Sequence, residues 1–265
     1  MKIDKRAYVH PDAQLGKDVE VGPFSYIDKN VTIGDGCILK NCVTVTGKTN
    51  IGKNNKIYHN AVVGSDPQDF TFKGEETKLT IGDNNVIREC VTVNLGTNKG
   101  GGETVIGNDN LIMACTHIAH DCIIEDCVII ANSVLFGGHI KVERNANIMG
   151  LVGINPFVTV GRFTYVGGLT RIVQDVPPFM IVEGHPSKVR QVNVVGLKRG
   201  GYKDEEISVI KEAYRRIYRP DVLNRRQELE NLQNENSNNP DINILVDFLR
   251  NMEKGKHGRF RESLR

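Results

Sequence analysis

The chain has 265 residues, a formal net charge of +2, 27 glycines, 6% aromatic residues and no tryptophan. That balance gives no general electrostatic drive toward nucleic acid, and no nucleic-acid reader motif is present. No apolar stretch is long enough to span a bilayer, Met1–Val9 has no apolar signal region, and the six cysteines lack CxxC spacing.

From Val9 every sixth residue is aliphatic, through Leu15, Val21, Ile27, Ile33, Leu39, Val45, Ile51 and Ile57 to Val63. A second run goes from Ile106 in steps of six to Ile172, interrupted in type only by Phe136. Glycine often follows the aliphatic residue, as at Gly16, Gly34, Gly107 and Gly161. A helix repeats at 3.6 residues and a strand at 2, so neither sustains a period of six. Six is the repeat of a parallel β-helix in which three hexads close one triangular coil. The expected fold is therefore an all-β solenoid, a left-handed parallel β-helix of hexapeptide repeats. Its winding is an exception to the right-handed crossover rule.

Two excursions break the period, one at 64–80 and one at 94–105, where Val93 and Ile106 stand thirteen residues apart rather than twelve. Loops thrown out of a rigid solenoid serve as substrate contacts or are tolerated insertions. Cys37, Cys42, Cys90, Cys115, Cys122 and Cys127 include no pair eighteen residues apart, so none is expected to stack on adjacent coils. They read as free thiols in a reducing cytoplasm, without a metal or redox role.

After Ile172 the texture changes. Pro177 and Pro178 break the chain, and the 203–219 segment sets Ile207, Ile210, Tyr214 and Ile217 on one helical face. Asn231–Asn239 is polar and asparagine-rich and reads as a loop, and Ile242, Leu245, Val246 and Leu249 mark a further short helix. Residues 1–185 are thus expected to form the solenoid and 186–265 a C-terminal helical cap closing its end. Between Pro186 and Arg226 eleven Lys and Arg face five Asp and Glu, a surface for an acidic partner or an ordinary solvated helix face.

The chemistry concentrates in His117-Ile-Ala-His120-Asp121-Cys122 and Gly137-Gly138-His139. At a period of eighteen, Gly138 lies beneath His120 and His139 beneath Asp121, about 4.8 Å away. Histidine suits a general base near neutral pH, Gly138 can offer an unobstructed N–H to an oxyanion, and Asp121 can orient an imidazole. His10, His59, His185 and His257 read as structural or solvated.

Pro67-Gln68-Asp69, the His117–Cys122 run, Gln174-Asp-Val-Pro-Pro178 and Asn193-Val-Val-Gly-Leu-Lys-Arg199 together resemble the acyl-ACP–UDP-N-acetylglucosamine O-acyltransferases that begin lipid A synthesis. The resemblance covers the solenoid, both excursions and the first part of the cap. It implies transfer of a (3-hydroxy)acyl chain from an acyl carrier protein thioester to the sugar 3-hydroxyl, without metal or other cofactor. It also implies a cytoplasmic homotrimer with sites between subunits. By position, His120 matches the general base, Asp121 its supporting carboxylate and Gly138 the oxyanion glycine. His117 and His139 match histidines of the same cleft, Gln68 and Asp69 the sugar-binding loop, and Asn193 and Arg199 the nucleotide side. Gly168 matches the far end of the acyl groove.

The chain departs from that family at Thr71, where lysine is usual, and at Asn155-Pro156, where His-Gln is usual. Val195 replaces a glutamate and Gly200 an arginine. These departures leave open a variant acceptor, such as a 3-amino sugar nucleotide giving an amide. Two further readings are a zinc enzyme of the carbonic anhydrase type with three histidine ligands and a non-catalytic scaffold. The pathway's N-acyltransferase is disfavoured because it carries a domain before its solenoid, whereas here the hexads begin at Val9.

Overall fold

A computed structural model describes residues 1–219 and 224–264. Among the described residues, short strands follow one another around the three faces of a prism, forming sheets of eleven, nine and eight strands that are parallel except for the last strand of the first. The hexad positions point inward and stack. Val45, Val63, Val93, Ile118, Phe136, Ile154 and Ile172 form one continuous ladder down the second face. All seven are buried, and burying such a side chain contributes about 1.5–3 kcal/mol. Repetition of that small gain along the prism replaces the large aromatic core that this composition lacks.

Corners close the coils through residues in the left-handed region. Asp121, His139 and Phe157, eighteen apart, have φ of 60°, 65° and 69°. Asparagine and aspartate enter this region readily, while a bulky residue there costs about 1–3 kcal/mol unless its surroundings impose it. Inside another corner an asparagine ladder satisfies the backbone. Asn85, Asn110 and Val128 each donate an N–H to the side-chain oxygen of the asparagine one coil earlier, Asn55, Asn85 and Asn110 respectively, at 2.7–3.0 Å.

Both excursions leave the corner between the second and third faces. The strand Lys78–Ile81 resumes in register with Lys48–Ile51, and Glu103–Ile106 in turn pairs with Lys78–Ile81. The corners that follow on the same edge carry His120–Asp121 and then Gly138–His139. The prism thus stacks two long loops directly above the histidine cluster. The second excursion also lengthens its coil, so Val86 pairs with Leu111 and Cys115 stacks on Cys90. Contrary to the expectation from spacing, two cysteines are coil neighbours; both are exposed.

Past the last coil, Met180–Glu183 and Lys188–Val192 form an antiparallel hairpin on the first sheet, an element that the two prolines did not announce. Among the described residues four α-helices follow: α1 (Val194–Arg199), α2 (Asp204–Tyr218), α3 (Arg225–Glu235) and α4 (Pro240–Lys254). Ile207, Ile210 and Ile217 of α2 are buried, as are Ile242, Leu245, Val246 and Leu249 of α4. Helix α3 takes in the first half of the expected asparagine-rich loop. Leu229 and Leu232 supply its buried face, and Arg216 of α2 pairs with its Glu228 and Glu235. No described helix is long and apolar enough to cross a membrane.

Candidate active site

Asp121 is the centre of the cluster. Its side chain is fully buried, and it accepts from the Thr97 N–H and hydroxyl at 2.7 Å each and from His120 Nδ1 at 2.7 Å. His139 Nδ1 stands 3.5 Å away, and the Asp121 N–H donates to Thr104 Oγ1 at 2.8 Å. Burial pushes this carboxyl upward, but the His120 and Thr97 bonds outweigh it and hold the group below the usual carboxylate range. An ionised carboxylate only accepts, so His120 presents Nδ1–H to it and keeps its lone pair on Nε2. The second excursion is therefore part of this pair's support. Thr97 grips the carboxylate, and a Cβ on Gly100 would lie 2.0 Å from it.

Gly138 sits under the His120 ring, where an added Cβ would come within 2.5 Å of the imidazole. Glycine is thus required for the ring to lie there at all. Among the described residues the Gly138 N–H donates to no protein acceptor. The same corner one coil further is Pro156, which has no N–H, as fits a position whose donor faces outward. His139 stacks on Phe157 with ring centres 4.5 Å apart and planes 6° apart, and its ring meets that of His120 edge-on at 5.0 Å. His117 lies on the adjoining face and shares a 2.8 Å hydrogen bond with Thr92; burial, reinforced by His120, lowers its pKa and favours the neutral ring.

The first excursion holds Asp69 differently. Its Oδ1 accepts the Thr71 N–H at 2.8 Å and the Thr71 hydroxyl at 2.9 Å, while Gln68 is exposed. These two bonds draw the Asp69 carboxyl down, with smaller pulls from His120 and Lys99. Thr71, standing where lysine is usual, therefore closes a local turn that fixes Asp69 and leaves its Oδ2 available.

Other sequence-derived candidates are placed apart from this cluster. Asn193 is buried and caps α1, its Oδ1 accepting from Gly196 and its Nδ2 donating to the Phe163 carbonyl. Arg199 is exposed in the last turn of α1. Gly168 lies on a different edge of the prism, across the face that bears His117, Leu135, Gly153 and Arg171. Gly200 has a packing reason for lacking an arginine side chain, since a Cβ there would lie 2.3 Å from the Phe163 ring. Sequence reasoning missed Thr97, Thr104 and Phe157. The eighteen-residue phase could have flagged Phe157, directly below His139.

Among the described residues, the donor atoms that converge closely enough for a metal come from His120, Asp121 and His139. His117 stands outside that group, so three histidines do not form a ligand set here. A cation would also have to displace the His120–Asp121 hydrogen bond.

Residues 175–257 match the family described as UDP N-acetylglucosamine O-acyltransferase, domain 2, and residues 12–47 and 103–138 match the bacterial transferase hexapeptide repeats. A curated protein of Gloeothece citriformis, acyl-[acyl-carrier-protein]–UDP-N-acetylglucosamine O-acyltransferase, is 54% identical over 146 residues, 55% of this chain and 52% of its own length. The chain thus spans about half the length of the curated relatives it matches. Solved structures extend the likeness to nearly the whole fold. A UDP-N-acetylglucosamine acyltransferase from Bacteroides fragilis is 41% identical, with a TM-score of 0.90 over 94% of this chain and 96% of that one. The Francisella novicida enzyme is 36% identical, with a TM-score of 0.90 over 94% and 91%. With the left-handed β-helix shared along its length, this chain belongs to the UDP-N-acetylglucosamine O-acyltransferase family of hexapeptide-repeat proteins.

Proposed function

We propose that the protein transfers a (3-hydroxy)acyl chain from acyl carrier protein to the 3-hydroxyl of UDP-N-acetylglucosamine, the opening step of lipid A synthesis. The observation that carries this reading is the His120–Asp121 pair lying over Gly138. His120 Nε2 takes the proton from the sugar hydroxyl while its oxygen forms a bond to the thioester carbonyl carbon. Negative charge moves to the carbonyl oxygen, where the Gly138 N–H meets it. Collapse breaks the C–S bond, and the imidazolium returns the proton to the departing sulfur.

Asp121 keeps the imidazole in the required tautomer and stabilises it when charged. His139 and His117 complete the cleft, Gln68 and Asp69 hold the sugar, and Arg199 with Asn193 lies toward the nucleotide. The face between the His120 and Gly168 edges suits an acyl chain. Leu135, Leu151 and Leu169 are 57%, 61% and 75% exposed along it, and a Cβ on Gly153 would meet nothing within 4 Å. The same apolar face favours packing of identical copies into a cytoplasmic homotrimer. Exposed basic residues of α1 and α2 suit the acidic surface of the carrier protein.

The test is to incubate purified protein with acyl carrier protein thioesters of several chain lengths and with UDP-N-acetylglucosamine or its 3-amino analogue, and to weigh the products. An ester of UDP-N-acetylglucosamine is expected. An amide formed only with the amino sugar would replace the acceptor, and no product with either would sink the reading.

A further inference from the structure

We infer that the C-terminal segment Gly255–Leu264 is a positioning device for the active corner and that Arg261 is the residue through which it acts. This inference rests on the acyl-transfer reading above. After α4 the chain turns back onto the edge of the prism that carries His120. In the coil below, a shortened turn brings Val176 opposite Val160, so Asp175 stands beside Thr159 on this edge, and the tail attaches there. The Asp175 N–H donates to the Gly258 carbonyl at 2.8 Å, and its carboxylate accepts the Phe260 N–H at 2.9 Å and the Thr159 N–H at 2.7 Å. One buried carboxylate thereby ties the last coils to the tail. Arg259 adds a bond to the Val173 carbonyl at 2.8 Å. Gly258 has φ of 72°, and a Cβ on it would stand 3.0 Å from Gln174 Cβ, so the tail lies close against the corner.

From this anchor the segment reaches two coils up, and Arg261 Nη1 donates to the His139 carbonyl oxygen at 2.9 Å. That carbonyl belongs to the residue following Gly138, in a corner where His139 already sits at positive φ and its N–H donates to the His120 carbonyl at 3.0 Å. The corner is thus held by His120 on one side and by Arg261 on the other. Burial draws the half-buried guanidinium's pKa down, and the nearby carboxylates of Asp175 and, to a smaller extent, Asp121 act against it.

Packing alone does not account for this segment. Leu264 is 69% exposed, and the core beneath α4 is closed before Gly255. Its other polar bonds to the prism anchor it on Val173 and Asp175 of the last coil, and Arg261 alone carries it on to the His139 corner. Fixing that corner fixes the direction of the Gly138 N–H and the seat of the His120 ring. Arg261 touches no reacting atom in this scheme and is a positioning residue.

The test uses the full chain with Arg261→Met and Arg261→Lys, reading kcat, KM for both substrates, thermal unfolding and the imidazole NMR signals of His120 and His139. A misplacement of this kind costs about 10- to 100-fold in rate. Arg261→Met is expected to lower kcat by that much while KM and the melting temperature hold and both imidazole signals shift. Arg261→Lys should recover part of the rate. Wild-type kcat with unshifted imidazoles in Arg261→Met would overturn the inference. So would a loss that follows the unfolded fraction equally in both variants. If the wild-type protein transfers no acyl group, the proposed function fails, and the imidazole signals of Arg261→Met still decide whether the tail acts on the corner.

Discussion

The two excursions from the prism carry the same signature, a broken hexad period at the same edge, yet they are built for opposite tasks. In the first, Asp69 is bonded by its near neighbour Thr71, beside exposed Gln68 and a wholly exposed Phe70. In the second, Thr97 is buried and spends its N–H and hydroxyl on Asp121, with Gly100 pressed against the same carboxylate. One loop presents groups outward and the other holds the His120–Asp121 pair from behind. A break in a solenoid's period therefore marks a place but not a role. The role depends on whether the loop's polar atoms find partners within it or in the coil beneath.

Substitutions can break or sharpen that contrast. His120→Ala sets the scale, since a general base contributes about 10²–10⁴-fold to rate; kcat should fall by that much with the fold intact by circular dichroism. Activity within a few-fold of wild type would show that the second loop supports some other group. Asp69→Ala should act through the acceptor, raising KM for the sugar nucleotide by about 1.5–3 kcal/mol, the range for a hydrogen bond to a charged group. Unchanged sugar kinetics would make the first loop structural and erase the contrast.

Thr97→Val keeps the shape and the N–H but removes the hydroxyl, and a drop in kcat of about tenfold with both KM values steady is expected from the lost charged hydrogen bond. A rise in KM alone would place Thr97 among substrate contacts. The smallest effect concerns Asp175, the buried carboxylate that ties the terminal segment to the last coils. Burial pushes it up to about 6, against the two backbone donors and the attraction of Arg259 and Arg261. A carboxyl raised on folding contributes stability fully present below its unfolded pKa and lost as pH rises through 6. The melting-temperature difference between wild type and Asp175→Asn should therefore shrink by about 3 °C from pH 5 to pH 7.5, reflecting roughly 1 kcal/mol. A constant difference would show that Asp175 does not titrate there.

Much of the architecture was legible because a β-helix repeats its physics. Ile118, Ile124 and Ile130 each reveal a face, and the eighteen-residue phase placed Gly138 beneath His120, where its missing Cβ is filled by the imidazole. What escaped notice lay where phase is lost. Thr97 sits in a loop of its own conformation, so no spacing linked it to Asp121. The lengthened coil that contains it also made Cys90 and Cys115 neighbours across 25 positions. In α3 only Leu229 and Leu232 are apolar among eleven residues, and contacts with α2 and α4 fix it as a helix. The terminal segment has no periodicity at all; Arg261 gains meaning only from the carbonyl it reaches.

The prism is closed at one end and open at the other, and this asymmetry gives the molecule a direction of wear. At the hairpin and helices, the last coils are covered by a continuous apolar core. At the opposite end the first strand, Lys2–Ile3, leaves Ile3 42% exposed with Met1 beside it at 65%. In a stack where each coil holds mainly its neighbours, breathing begins at the uncovered end and travels inward coil by coil. The His117–Ile118 strand is sixth of nine in its sheet, so several coils separate the His120 corner from that end. Amide hydrogen exchange should therefore slow progressively from Lys2 toward Ile118, with the outer coils loosening long before the His120 corner does.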